Sequence, residues 1–120
     1  MIELMGIPDD RVVGVRIDGH VDKAAFDQII AEIEARSAHH EKLRIYAEIH
    51  SLGGMSLETL LADFKFAVKN WRRFDREAIV SDGRWLQGIA PVVDKLFPGI
   101  EVKAFALDDA DAARAWVQEP

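Results

Sequence analysis

The chain has 120 residues, a formal net charge of −6, 49% hydrophobic and 30% charged residues, and no cysteine. That length fits one domain able to bury a core without staples, and the composition excludes a disordered chain. The missing cysteines exclude disulfides and thiolate metal sites, and the acidic balance argues against nucleic-acid binding.

The predicted elements begin with a short strand, Ile2 to Met5, and a turn by composition at Gly6-Ile7-Pro8-Asp9-Asp10. Val12 to Asp18 alternates, with Val13, Val15 and Ile17 on one face and Arg16 and Asp18 on the other. Asp22 suits the N-cap of a helix from about Lys23 to Ser37, whose buried stripe is Phe26, Ile29, Ile30 and Ile33. Leu43 to His50 alternates without a break and leads through Ser51-Leu52-Gly53-Gly54-Met55 to Ser56, a good N-cap. The pattern predicts a second helix from there to about Arg73, with Leu57, Leu60, Leu61, Phe64, Val68 and Trp71 on one face. A strand near Glu77 to Val80 follows, then a third helix from about Arg84 to Phe97, which Pro91 should bend or split. Ile100 to Leu107 reads as the last strand, and Asp108 or Asp109 caps a terminal helix.

The order β-β-α-β-α-β-α-β-α implies a mixed, mostly parallel five-stranded α/β sheet with helical crossovers. Strands covered on both faces read as continuous apolar runs, whereas three strands here alternate. The expectation is therefore a one-sided βα superhelix, with Arg16, Asp18, Arg44, Tyr46 and Glu48 on an open face that is solvated or a homodimer contact. No apolar run approaches the roughly 18 residues of a membrane span, and Met1 leads into a strand without a basic and apolar leader. A cytoplasmic location is expected, with peripheral membrane contact as its variant.

On the opening strand pair, the Ile49-His50-Ser51-Leu52-Gly53-Gly54-Met55 turn, Asp63-Phe64-Lys65-Phe66-Ala67, Arg84-Trp85 and Ala113-Arg114-Ala115-Trp116, the chain resembles the SpoIIAA-like family. That family shares the fold of STAS domains and anti-sigma-factor antagonists. The resemblance implies a non-enzymatic module, because its fold relatives act as phospho-switched protein-binding domains or, in CRAL-TRIO-type domains, as lipid carriers. In STAS antagonists the phosphorylated residue lies in the loop that opens the helix after the third strand. Ser51 and Ser56 occupy that neighbourhood and are the phosphorylation candidates, although the chain reads His50-Ser51-Leu52-Gly53 in place of the Asp-Ser-Ser/Thr-Gly style motif.

Two regions are candidate sites. At the carboxyl edge of the parallel strands, Gly53 and Gly54 can bring backbone N–H groups close to a ligand. The helix after Ser56 adds a positive dipole end, so His50, Ser51, Gly53, Gly54 and Ser56 would take the acidic head of an amphipathic molecule. The plain alternative is a glycine turn followed by a cap. Leu57, Leu61, Phe64, Trp85 and Ile89 would line an apolar crevice between the second and third helices. Phe66 falls about 180° from Leu57, among Lys65, Lys69 and Arg73. The apolar arc of the third helix, extended by Leu86, Val93 and Phe97, spans about 160°, wider than one buried stripe needs. Phe66, Lys69, Arg73, Leu86, Val93 and Phe97 therefore read as a surface for a membrane, a partner or a second copy. The plain alternative is a crevice filled by its own side chains. No catalytic group, metal or cofactor is expected: His50, Ser51 and Asp82 lack a nucleophile elbow, and the four histidines lack ligand spacing.

Overall fold

The computed structural model describes residues 1–82, 88, 89 and 91–120 in full, and residues 83–87 and 90 only as part of their helix. The strands are β1 (Ile2–Met5), β2 (Val12–Asp18), β3 (Leu43–Ser51), β4 (Phe74–Ser81) and β5 (Glu101–Ala106). They form one sheet in sequential order, with β1 antiparallel to β2 and every later pair parallel. The helices are α1 (Lys23–Ser37), α2 (Leu57–Ala67), α3 (Gly83–Leu96) and α4 (Ala110–Val117). Short 3₁₀ turns at Trp71–Arg73 and Leu107–Asp109 precede β4 and α4.

The local signals act as their chemistry requires. Asp22 accepts from the Ala24 N–H at the start of α1, and Ser56 accepts from the Thr59 N–H at the start of α2. The second helix ends at Ala67, six residues before the predicted stop. Val68 turns extended there, which drops its side chain into the core while its N–H still reaches the Phe64 carbonyl. Strand β4 starts earlier than predicted because its charged run is paired within the sheet: Asp75 with Arg44, and Arg76 with Glu101. α3 runs through Pro91 as one element, with the proline on its exposed side.

The crossover helices α1, α2 and α3 share one face of the sheet, where Val13, Val15, Ile17, Ile45, Ile49 and Ile79 meet Ile29, Ile33, Leu60, Leu61, Ile89 and Val93. The terminal helix lies on the other face. Ala113 and Val117 of α4 pack on Val12, Tyr46, Ala78 and Val80. The second face is thus not left open over β3 and β4: Tyr46 is 0% exposed and Arg44 5%. The sequence reading failed there because α4 is not a crossover, so the handedness rule says nothing about its side.

An eight-residue helix is too short to hold itself in water, and α4 is held by arginines from the sheet. Arg44 donates to the Val117 carbonyl at 3.0 Å and to the Glu119 carbonyl, and its Nε pairs with Asp75 at 3.1 Å. Arg76 donates to the Trp116 carbonyl at 2.9 Å and stacks over the Trp116 ring at 5.0 Å. Arg11 adds a longer contact to the Gln118 carbonyl, 3.4 Å. These cations meet the negative end of the helix dipole and the carbonyls that a helix C-terminus leaves unpaired. Arg44→Met should cost about 3 kcal/mol, from the loss of charge-assisted bonds to buried carbonyls. Urea unfolding measures the loss, and hydrogen exchange should show α4 opening before the sheet.

Candidate functional site

The loop between β3 and α2 is built by close approach. Gly53 has φ +57°, and a Cβ there would lie 2.8 Å from the His20 backbone nitrogen, so only glycine lets this loop cross the one after β2. The Gly19 N–H donates to the Ser51 carbonyl at 3.0 Å, and Leu52 is buried beneath the loop. Ser51 donates to the Asp18 carboxylate at 3.1 Å, and Ser56 donates to the Thr59 hydroxyl at 2.8 Å. Both serine side chains of this stretch are engaged, Ser51 across to the loop after β2 and Ser56 in the cap of α2.

An apolar cavity of about 60 Å³ lies between the sheet and the first two helices. Its floor is Val15 and Ile17 of β2, Ile45, Ala47 and Ile49 of β3, and Glu77 and Ile79 of β4, with Ile2 at one side. Its roof is Phe26 and Ile29 of α1 and Leu60, Leu61 and Phe64 of α2. Protein interiors are normally close-packed, and a space of this size holds a few water-sized groups. Above it, Val21, Met55, Phe66 and Ala67, together with the charged Lys23, Asp27 and Asp63, line an open groove of about 470 Å³ between α1 and α2. Phe26 and Leu60 line both spaces, so these two side chains are the partition between the cavity and the surface.

Glu77 is the cavity's one ionisable group among the described residues. It is 3% exposed, and its Oε1 has no hydrogen-bond partner. Burial, with no charge nearby to offset it, pushes the Glu77 carboxyl up to about 7. A second polar cluster lies on the opposite face, under α4. There Glu48 accepts from the Tyr46 hydroxyl at 3.0 Å and pairs with His50 Nε2 at 2.8 Å, with Arg114 at 3.9 Å. Burial works to raise the Glu48 carboxyl, but these hydrogen bonds and the His50 and Arg16 charges outweigh it and leave it lowered. The two carboxyls are opposites: one satisfied and ionised, one unpaired and held toward its neutral form.

A sequence model of the SpoIIAA-like family matches residues 12–118. The chain belongs to the SpoIIAA-like family. No curated protein and no solved structure matches it. SpoIIAA-like and STAS-type domains are regulatory or interaction domains, generally without catalysis. No helix among the described residues is long and apolar enough to cross a membrane.

The SpoIIAA-like fold separates residues that the sequence reading grouped. His50 pairs with Glu48 on the α4 face, Ser51 ends β3 and bonds Asp18, and Gly53, Gly54 and Ser56 lie in the loop to α2. Leu61 and Phe64 do line the cavity. Leu57 packs half-buried against the core, and Ile89 is buried in it. The cavity roof is α1 and α2; no described residue of α3 lines it. Trp85 and Leu86 lie outside the described residues. Of the expected surface, Phe66 is 93% exposed and Lys69 is exposed. Arg73 instead pins the end of α1, donating to the Ser37 and His40 carbonyls at 3.1 Å each. Val93 and Phe97 are core residues, not surface, because α3 presents its four-residue spacing to the sheet and Phe97 meets Phe64 and Trp71.

Glu77 was passed over in the sequence because Ala78-Ile79-Val80 is apolar on both faces and hides which face position 77 takes. The signal was its two-residue spacing from Ile79, which puts a carboxyl in the core-facing row. A buried acid whose pKa lies above its unfolded value favours the folded state less as it ionises. Stability should therefore be full below about pH 4.5 as far as Glu77 is concerned, fall through pH 5 to 7, and level off above. The fall should be of order 3 kcal/mol. Urea midpoints at pH 5 and pH 8 measure it, and Glu77→Met should remove most of the difference.

Proposed function

We propose that this SpoIIAA-like domain is a non-enzymatic binding module that takes an apolar or amphipathic small molecule into the space between the sheet and α1–α2. The observation that carries the reading is the shared partition. Phe26 and Leu60 line both an apolar cavity and an exposed groove whose walls are mainly apolar, so a rotation of these two side chains would join the spaces into one channel. The exposed Phe66 ring stands at the groove and offers an apolar contact outside it. Ligand sites are commonly concave, apolar and largely pre-formed, with few polar groups to set orientation. α1 and α2 are the elements that would part, and the arginine-held α4 on the far face would stay in place.

The test uses one cavity-filling substitution. Ala47 sits on the cavity floor in a strand, where a β-branched residue is well tolerated. Ala47→Val fills part of the space and should keep the fold, with stability changed by about 1 kcal/mol or less. Native mass spectrometry of wild-type protein isolated gently from cells should reveal a non-covalent small molecule, and the same preparation of Ala47→Val should carry much less. Wild-type protein that is uniformly ligand-free, and that takes up no added apolar probe, would refute the reading.

A further inference from the structure

We infer that Glu77 is the recognition group of this cavity, and that the ligand it selects is an apolar molecule carrying a single hydroxyl or N–H group, inserted head first. The inference rests on the binding function proposed above and adds what is bound and by which atom.

A buried carboxyl normally has hydrogen-bond partners, because a buried polar group left unpaired is costly. Glu77 lies 97% out of solvent on the cavity floor, yet its Oε1 has no partner. Its surroundings in the cavity are hydrocarbon: isoleucines from β2, β3 and β4 below, and Phe64, Leu60 and Leu61 above. Packing alone gains nothing from a carboxyl here, since an apolar side chain of the same size would fill the site without the desolvation cost. The carboxyl has a use if a ligand supplies the missing partner.

The chemistry of the walls limits that partner. One ionisable group and an otherwise apolar lining suit one polar group on the ligand, because a second would be buried unpaired. A ligand carboxylate would place two acids together in hydrocarbon. A hydroxyl or N–H can donate to Oε1, and a hydroxyl can also accept from the carboxyl when Glu77 is protonated. The small cavity holds that head, and the groove beyond Phe26 and Leu60 has room for the apolar remainder.

The probes are 1-butanol and 1-chlorobutane, similar in size, one with a donor and one without. Binding is read from methyl chemical shifts of the cavity isoleucines and leucines in wild type, Glu77→Gln and Glu77→Met. Glu77→Gln keeps an acceptor and should bind the alcohol within a few-fold of wild type. Glu77→Met should weaken the alcohol on the order of tenfold and leave the chloroalkane unchanged or tighter. If alcohol affinity is the same in wild type and Glu77→Met while both probes bind, the cavity is a ligand site and Glu77 does not recognise the head. If neither probe moves the wild-type cavity signals, the binding function and the role of Glu77 fall together. The comparison of the two probes on wild type needs no variant to fold.

Discussion

Parallel pairing from β2 to β5 constrains the rest of this molecule. Each parallel step needs a crossover helix, and crossovers of one hand between sequential neighbours must all return over the same face. α1, α2 and α3 are therefore crowded above one side of the sheet, while the other side is left to whatever chain follows β5. That chain is a helix too short to be stable alone, and it stays because guanidinium groups from the sheet take its last carbonyls. β3, at the centre of the sheet, carries both tasks at once. Its Ile45 and Ile49 face the crossover layer, and its Arg44 and Tyr46 face α4.

The same geometry produces the cavity. α1 and α2 follow neighbouring strands and flank the middle of the sheet, where Phe26 and Leu60 line the cavity and the groove alike. Below these two side chains the strand register brings Glu77 opposite Ile45, in a row otherwise made of branched apolar side chains. The half-buried Glu48 and the buried Glu77 show what environment does to one functional group. Glu48 is ringed by a tyrosine hydroxyl, a histidine and arginines and stays ionised. Among the described residues Glu77 meets only hydrocarbon in the cavity, and burial drives it toward its neutral form. The first is part of a local network, and the second leaves Oε1 without a hydrogen-bond partner among the described residues.

The fold was largely legible in the chain. The alternation of β2 and β3, the caps at Asp22 and Ser56, and the order of strands and helices define the sheet and its crossovers before any coordinates are seen. Less legible was whatever depends on tertiary pairing. The charged start of β4 looks like loop until Arg44 and Glu101 supply its partners, and α2 looks longer than it is because Val68 and Trp71 continue its apolar stripe after the helix has ended. The loop after β3 is less legible for a related reason. Serines and glycines at a helix start resemble an anion site in one dimension, but here they hold two loops together. The wide apolar arc of α3 is used in the core through Val93 and Phe97. The cavity belongs to α1 and α2, and nothing in a helical wheel says which two helices leave a space between them.

The central claim is that the space between the sheet and α1–α2 is accessible to a ligand from the groove. A crystal structure determined under xenon pressure tests it most directly, because xenon enters apolar cavities that a protein can open and needs no polar partner. The account predicts xenon on the cavity floor beside Glu77, between Ile45 and Phe64, with less or none in crystals of Ala47→Val. A wild-type crystal that takes up xenon elsewhere, or not at all, and leaves this cavity empty would contradict it.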